Sequence, residues 1–264
     1  MKMKFTVLGT RGSVPVEGKD YSIYGGATSC YQVRAGNEEI YLDAGSGIVT
    51  AKISANTNIS ILFSHMHMDH VLGLPFFSAL SQKDRSVDMY SEKSSGLDLK
   101  SAIDHLIAPP FWPVKIEQYP ANVRFHDVQK KFSIGEVEIE TMSGNHPGGT
   151  TIYRLNYKSK SIVYVTDFEH SSEEKCEELI RFSADCDLLT YDAQYTNEEY
   201  NRFRGFGHST VEFGLKIAEK ARVKRILFVH HAPNRTDKDL LQMERAIFDC
   251  EGARFAKIGD EFDL

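Results

Sequence analysis

Ser64-His65-Met66-His67-Met68-Asp69-His70 puts four side chains that bind cations, His65, His67, Asp69 and His70, directly after the apolar run Ile59-Ser60-Ile61-Leu62-Phe63. Imidazole nitrogen and carboxylate oxygen together suit divalent transition metals such as zinc. While the backbone is still extended, His65 and His67 share one side of the chain. Asp69 and His70 aim elsewhere as the chain turns towards Gly73 and Pro75. That geometry suits two neighbouring ions rather than one. The plain alternative, a histidine-rich surface loop or a set of core histidines, is disfavoured, because clustering so many titratable groups without compensation is costly.

Three further candidates also follow apolar runs. His146 lies in Gly144-Asn145-His146-Pro147-Gly148-Gly149, shortly after Val137-Glu138-Ile139-Glu140. Asp167 ends Ile162-Val163-Tyr164-Val165-Thr166, and His230 ends Ile226-Leu227-Phe228-Val229. Strands fix such groups at one edge of a sheet while the loops stay variable. Asp167 suits a bridging role, since one carboxylate can offer an oxygen to each of two cations. Taken singly, Asp167 and His146 also read as turn residues.

The rest of the chain frames this cluster. Its 264 residues carry a formal charge of −6, with 41% hydrophobic and 26% charged residues, which is ordinary globular composition. One α/β domain over residues 1–264 is expected. No apolar run approaches the ~20 residues that span a bilayer, and Met1-Lys2-Met3-Lys4-Phe5 lacks the pattern of a secretory leader, so a cytoplasmic protein without membrane attachment is expected. Cys30, Cys176, Cys186 and Cys250 are scattered, which argues against a disulfide framework or a thiolate zinc site. The acidic balance disfavours a long nucleic-acid footprint, which needs a basic face.

Strands are predicted at Phe5–Leu8, Tyr31–Val33, Glu39–Leu42, Ile59–Phe63, Val137–Glu140, Thr151–Leu155, Ser161–Val165, Asp187–Tyr191 and Arg225–Val229. Short turns at Ala35-Gly36-Asn37 and Tyr157-Lys158-Ser159-Lys160 point to antiparallel hairpins. Helices are predicted at Gly73–Gln82, Ser171–Ser183, Val211–Arg222 and Asp237–Asp249. In the third, Val211, Leu215, Ala218 and Ala221 form the buried stripe. Glu173, Glu174, Glu177 and Glu178 read as a solvated helix face. Lys83–Lys100 is the most polar segment. Mixed sheets with helices outside are expected.

Phe206-Gly207-His208-Ser209-Thr210 precedes the third helix. Ser209 and Glu212 fit a capping box, which would hold His208 at a helix N-terminus, where backbone N–H groups favour anions. From there His208 would assist a leaving oxygen or bond a phosphoryl oxygen.

His65-Met66-His67-Met68-Asp69-His70, followed in order by His146, Asp167 and His230, resembles the metallo-β-lactamase superfamily over essentially the whole chain. The resemblance implies a four-layer αββα sandwich with a dinuclear site along one edge of the stacked sheets. Carried over by position, one metal takes His65, His67 and His146, and the other takes Asp69, His70 and His230, with Asp167 bridging. His231 adjoins His230, so the register of the last ligand is open by one. Tyr41-Leu42-Asp43-Ala44-Gly45 resembles the superfamily's early strand-turn motif, whose aspartate supports the site from behind the ligands.

The His208-Ser209-Thr210 stretch, Gly9-Thr10-Arg11-Gly12-Ser13-Val14-Pro15 and Tyr24-Gly25-Gly26-Ala27-Thr28-Ser29-Cys30 look like the phosphodiesterase branch. That branch includes the tRNA 3′-end endonucleases (RNase Z) and cyclic-nucleotide phosphodiesterases. Within Thr28-Ser29-Cys30 a structural role is expected, the lone cysteine acting as a small buried hydrophobe.

The expected activity is metal-dependent hydrolysis of a small phosphodiester, a cyclic nucleotide among the candidates, with two divalent cations activating the attacking water. Zinc is the default, and manganese or iron also fit. Asp69 or Asp167 would orient that water or receive its proton. The alternatives are an RNase Z-like nuclease, or a thioester or lactone hydrolase of the same fold. A homodimer is left open. The aromatic loop Ala108-Pro109-Pro110-Phe111-Trp112-Pro113 reads equally as a pocket wall that stacks on a base or as core packing.

Overall fold

Alternation along the strands sets the layering. A computed structural model of the chain describes residues 2–93 and 96–264. The first half supplies β1 (Lys4–Gly9), β2 (Cys30–Ala35), β3 (Glu38–Leu42), β4 (Asn58–Leu62), β5 (Ser86–Ser91) and β6 (Asn122–Asp127). The second supplies β7 (Lys131–Ile134), β8 (Val137–Gly144), β9 (Thr150–Tyr157), β10 (Lys160–Tyr164), β11 (Leu188–Asp192), β12 (Ile226–Val229), β13 (Ala253–Phe255) and β14 (Glu261–Asp263). The helices are α1 (Met68–Val71), α2 (Leu99–Leu106), α3 (Glu173–Phe182), α4 (Asn197–Arg202), α5 (Val211–Ala221) and α6 (Asp237–Ala246).

The strands form two sheets, ordered β14-β1-β2-β3-β4-β5-β6 and β13-β12-β11-β10-β9-β8-β7. Each sheet starts as an antiparallel meander and continues in parallel. In the first, β1, β2 and β3 are antiparallel and β3 to β6 parallel. In the second, β7 to β10 are antiparallel and β10 to β13 parallel. The β2–β3 and β9–β10 turns are tight hairpins, as expected, and Gly36 (φ 62°) and Lys158 (φ 55°) take the left-handed conformation that such turns need.

Ile40 and Leu42 join Phe5, Val33, Leu62, Tyr153, Leu155 and Tyr164 in the layer between the sheets. Tyr41, Ile61 and Phe63 point the other way and pack with Leu99 and Ile103 of α2. On the far side Val163, Leu189 and Phe228 meet Leu179 of α3, Ile217 of α5 and Leu240 of α6. The chain is therefore a single α/β domain with the expected αββα layering. Among the described residues no helix is long and apolar enough to cross a membrane.

Two helix assignments shift. Gly73–Gln82 is not one helix. It splits into 3-10 turns at Leu74–Phe76 and Ser78–Ser81, because Pro75 lacks an N–H and Phe77 takes an extended conformation (φ −65°, ψ 116°). The cap of α5 is Thr210, whose hydroxyl accepts from the Phe213 N–H at 3.3 Å, not Ser209. Its buried stripe is also rotated: Gly214 and Ile217 are buried beside Val211, Ala218 and Ala221, while Leu215 is only partly so. The other two begin at the caps Ser172 and Thr236, close to expectation.

Candidate metal centre

The parallel arrangement brings the carboxyl ends of β3, β4, β10, β11 and β12 to one edge, where ligand sites of α/β sheets form. Asp43, Asp167 and His230 each lie just past a strand end and each adopts a left-handed conformation (φ 60°, 49° and 60°). Such conformations cost energy in residues with a Cβ and gather at functional sites. After β4 the backbone is still extended at His67 (φ −65°, ψ 152°) and then enters the single turn of α1. His65 and His67 thus lie on one side, and the turn carries Asp69 and His70 to the other.

All seven predicted ligands converge. Ligand atoms of His65, His67, His146 and Asp167 lie within 4.8 Å of one another, as do those of Asp69, His70 and His230. One Asp167 oxygen, Oδ2, is 3.7 Å from both His65 Nε2 and His146 Nε2. The other, Oδ1, is 3.2 Å from His70 Nε2 and 3.1 Å from His230 Nε2. The carboxylate straddles the two groups. Asp69 Oδ2 completes the second, 3.2 Å from His70 Nε2 and 3.1 Å from His230 Nε2.

Neighbouring hydrogen bonds set the imidazole orientations. His70 donates from Nδ1 to Asp43 Oδ2 at 2.6 Å. Asp43 also accepts from the Ser64 N–H (2.6 Å), Ser64 Oγ (2.7 Å) and Tyr164 Oη (2.6 Å). His65 Nδ1 donates to Ser64 Oγ at 3.0 Å, and His146 Nδ1 donates to the Gly207 carbonyl at 3.0 Å. In each ring the Nε2 lone pair is left facing the cluster, which is how outer hydrogen bonds prepare a ligand histidine.

The cluster fits cations. His65 Nε2 and His70 Nε2 are buried and aimed inward without a hydrogen-bond partner, a costly arrangement unless a cation takes the lone pair. The electrostatics agree. Burial alone would raise both carboxyls, yet His230, His70 and His65 hold Asp167 well below the usual carboxylate range, and His70 and His230 do the same for Asp69. Against its burial, His230 is pulled up to about 9 by Asp167 and Asp69. The site stabilises positive charge.

Of the two adjacent histidines, it is His230 that faces the cluster. The His231 ring turns away from it, donating from Nε2 to the Ala256 carbonyl at 2.9 Å and packing edge-on against Tyr24. Burial pushes His231 down to about 3, so it is neutral.

His208 adjoins the cluster, 3.9 Å from Asp167 Oδ2. It is oriented by Asp192, whose Oδ2 accepts from Nδ1 at 2.9 Å, rather than by a cap at Ser209. The Ser209 hydroxyl instead bonds Tyr191 Oη (2.8 Å) and His170 Nδ1 (2.7 Å). With Thr210 as cap, His208 stands two residues before the cap, so the anion-binding helix end is not its immediate setting.

Sequence reading missed Asp192, although it ends the apolar β11 as Asp167 and His230 follow β10 and β12. It also missed Ser13, whose N–H donates to Asp69 Oδ2 at 2.7 Å, and Glu169, whose carboxylate accepts the N–H groups of Gly205 and Gly207. These two carry no local signal, because their partners are distant backbone amides. A cavity of about 210 Å3 opens beside His65 and His67, lined in part by Met66, Leu99, Ala102 and Glu92. In the Ala108–Pro113 loop Trp112 packs: its indole donates to Tyr119 Oη at 2.9 Å and its ring meets Phe76 edge-on. Cys30 is buried, and its thiol is pushed up by that burial, as expected of a structural residue.

The fold and this edge define a metal-site hydrolase architecture, and the chain belongs to the metallo-β-lactamase superfamily: residues 39–231 match the Beta-lactamase superfamily domain. Among its relatives, ribonuclease Z of Haloferax volcanii is 23% identical over 316 residues, covering 100% of this chain and 96% of that one. Of solved structures, the metallo-β-lactamase-fold protein YhfI of Bacillus subtilis superposes with a TM-score of 0.74 at 18% identity, covering 100% of both chains. A diphosphatase of the PhnP family has a TM-score of 0.74 at 20% identity, covering 100% of this chain and 98% of its own.

Proposed function

We propose that this chain is a metal-dependent phosphodiesterase acting on a small phosphodiester, with cyclic nucleotides within its substrate class. The observation that carries this reading is the Asp167 carboxylate, split between two histidine groups beside a histidine held by Asp192. His65, His67 and His146 would hold one cation and Asp69, His70 and His230 the other, with Asp167 between them. When bound, two such cations polarise a phosphoryl oxygen and bring the pKa of water towards ~7.

The chain's own residues supply positioning and proton transfer. Asp69, fixed by the Ser13 N–H, orients the attacking water. Asp167 is placed to share that task. With Nδ1 committed to Asp192, His208 presents Nε2 as the donor to the leaving oxygen or to a phosphoryl oxygen. The ribonuclease Z relatives and the PhnP-family diphosphatase support phosphorus chemistry over thioester or lactone hydrolysis.

Metal analysis of the purified protein, followed by turnover of bis(p-nitrophenyl) phosphate, cyclic mononucleotides and a thioester, tests the reading. Diester turnover that requires metal is expected. A fully loaded protein that cleaves the thioester but none of the diesters would overturn it.

A second reading, an RNase Z-like nuclease, is favoured by the full-length relationship to ribonuclease Z. The net charge of −6 weighs against a long RNA footprint. Cleavage of a precursor tRNA at its 3′ end, in preference to small diesters, would select this second reading.

A further inference from the structure

The segment Arg202-Phe203-Arg204-Gly205-Phe206 interleaves cations and aromatic rings, and all of it is exposed although it runs straight into the buried Gly207 and His208. Phe206 is 62% and Phe203 42% exposed. Single exposed apolar residues are ordinary, but these two belong to a continuous run of rings. Phe206 meets Phe203 edge-on at 5.9 Å, Phe203 stacks on Tyr195 at 5.5 Å, and Tyr195 meets His208 edge-on at 5.4 Å. The run starts at the buried His208 and ends in solvent at Phe206.

The segment is also held rigidly. Both oxygens of the buried Glu169 accept from the Gly205 N–H at 3.0 Å, and one accepts from the Gly207 N–H at 2.9 Å. Gly205 and Gly207 sit at φ 91° and 90°, so the backbone at each end of Phe206 has a conformation that other residues rarely adopt. The Gly207 carbonyl accepts from His146 Nδ1, tying the segment to a candidate ligand. Arg204 lies over the Tyr200 ring at 5.5 Å and Arg202 pairs with Glu198. In a chain of net charge −6, a buried carboxylate thus anchors an exposed aromatic rim that carries Arg204 and leads to His208.

We propose that this rim is a nucleoside platform: the base on the leaving side of the diester stacks on Phe203 and Phe206, with Arg204 near the adjoining phosphate. Every base has a π-face, so such stacking tolerates sequence, and Arg adds attraction for phosphate. The proposal rests on the phosphodiesterase reading and narrows its substrate to a base-bearing diester.

The test compares calorimetric binding of adenosine 5′-monophosphate and ribose 5-phosphate to the metal-loaded enzyme. Neither is a diester, so binding is read without cleavage. AMP is expected to bind about tenfold more tightly or better, within the range of base–aromatic stacking. The preference should collapse towards unity in Phe203→Leu and Phe206→Leu and survive in Phe206→Tyr. Equal or undetectable binding of the two ligands to the wild type, or a preference untouched in both leucine variants, would overturn the platform. Turnover of adenylyl-(3′,5′)-adenosine separates the two claims. Cleavage without a base preference leaves the hydrolase reading and removes the platform. An aromatic-dependent preference without cleavage of any diester does the reverse. A hexa-adenylate arm separates the two occupants: a strand site binds hexa-adenylate more tightly than AMP and loses that advantage as salt rises, whereas a single-nucleoside platform binds both equally at every salt concentration.

Discussion

At the scale of single residues, Asp43 shows how much of a candidate metal centre lies outside its candidate ligands. It is fully buried and accepts from Ser64 twice, from Tyr164 and from His70, so its charge and position fix the tautomer of His70. Asp43→Asn keeps the size and tolerates φ 60°, but it substitutes an amide for the acceptor that holds His70. Metal affinity should fall ~10–100-fold, as when other outer partners of ligands are removed, and competition with a chromophoric chelator would read it. His208→Ala belongs to a different class. It should lower kcat by ~10²–10⁴ while elemental analysis finds the metal content unchanged. Asp192→Asn, which keeps the contact but weakens the orientation of His208, should lower kcat less. Unchanged diester turnover in His208→Ala would remove that residue from the mechanism.

At the scale of elements, what was legible in the sequence was what local chemistry writes densely. His65–His70 stood out because its ligands are packed together. The hairpins stood out because short turns separate β-branched runs, and α3, α5 and α6 because their apolar residues recur at helical spacing. β5 and β6 escaped because their alternation is hidden in polar composition: Val87 and Met89 are buried between Ser86, Asp88 and Tyr90, and Arg124 pairs with Asp88 across the strands. Gly73–Gln82 carries helical apolar spacing, but Pro75 and the extended Phe77 break it into two short turns. At α5 two hydroxyls stood side by side, and only the tertiary partners of Ser209, Tyr191 and His170, decide which one caps. Thr210→Ala should therefore cost ~1 kcal/mol, the ordinary worth of an N-cap, read as a lower denaturant midpoint. Gly207→Ala acts differently. A Cβ there would lie 2.0 Å from His146 Nδ1 at φ +90°, so the loop must shift. Occupancy of the His65–His67–His146 position and turnover should fall together, and a variant with full metal content and wild-type kcat would show that the loop does not position His146.

At the scale of the whole molecule, the two sheets are joined at their functional edge by charge. His65, His67, Asp69 and His70 follow a strand of one sheet, while His146, Asp167 and His230 follow strands of the other. Cations shared between them would clamp the halves together, so metal should raise the melting temperature. A ligand at 1,000 times its Kd contributes about 4 kcal/mol. Proton linkage gives this clamp a signature. His65 is pushed well below its ordinary value, first by burial and then by His70, so it is neutral at pH 7.5 and binds metal without releasing a proton. His230 is raised to about 9, so at pH 7.5 it is protonated and a cation must displace that proton. The sign follows for stability. A raised histidine stabilises the metal-free fold below its unfolded value of ~6.5, and that contribution is lost as pH rises through about 9. Metal-free protein should therefore lose melting temperature between pH 7 and 10. The metal-loaded protein should lose less over that interval and more on acidification, where protons compete for all the imidazoles. Zinc titration in weakly buffered solution at pH 7.5 should release at least one proton per chain, and fewer as the starting pH rises through about 9 towards 10. A release that does not change with pH across that interval would show that His230 holds no proton for the metal to displace.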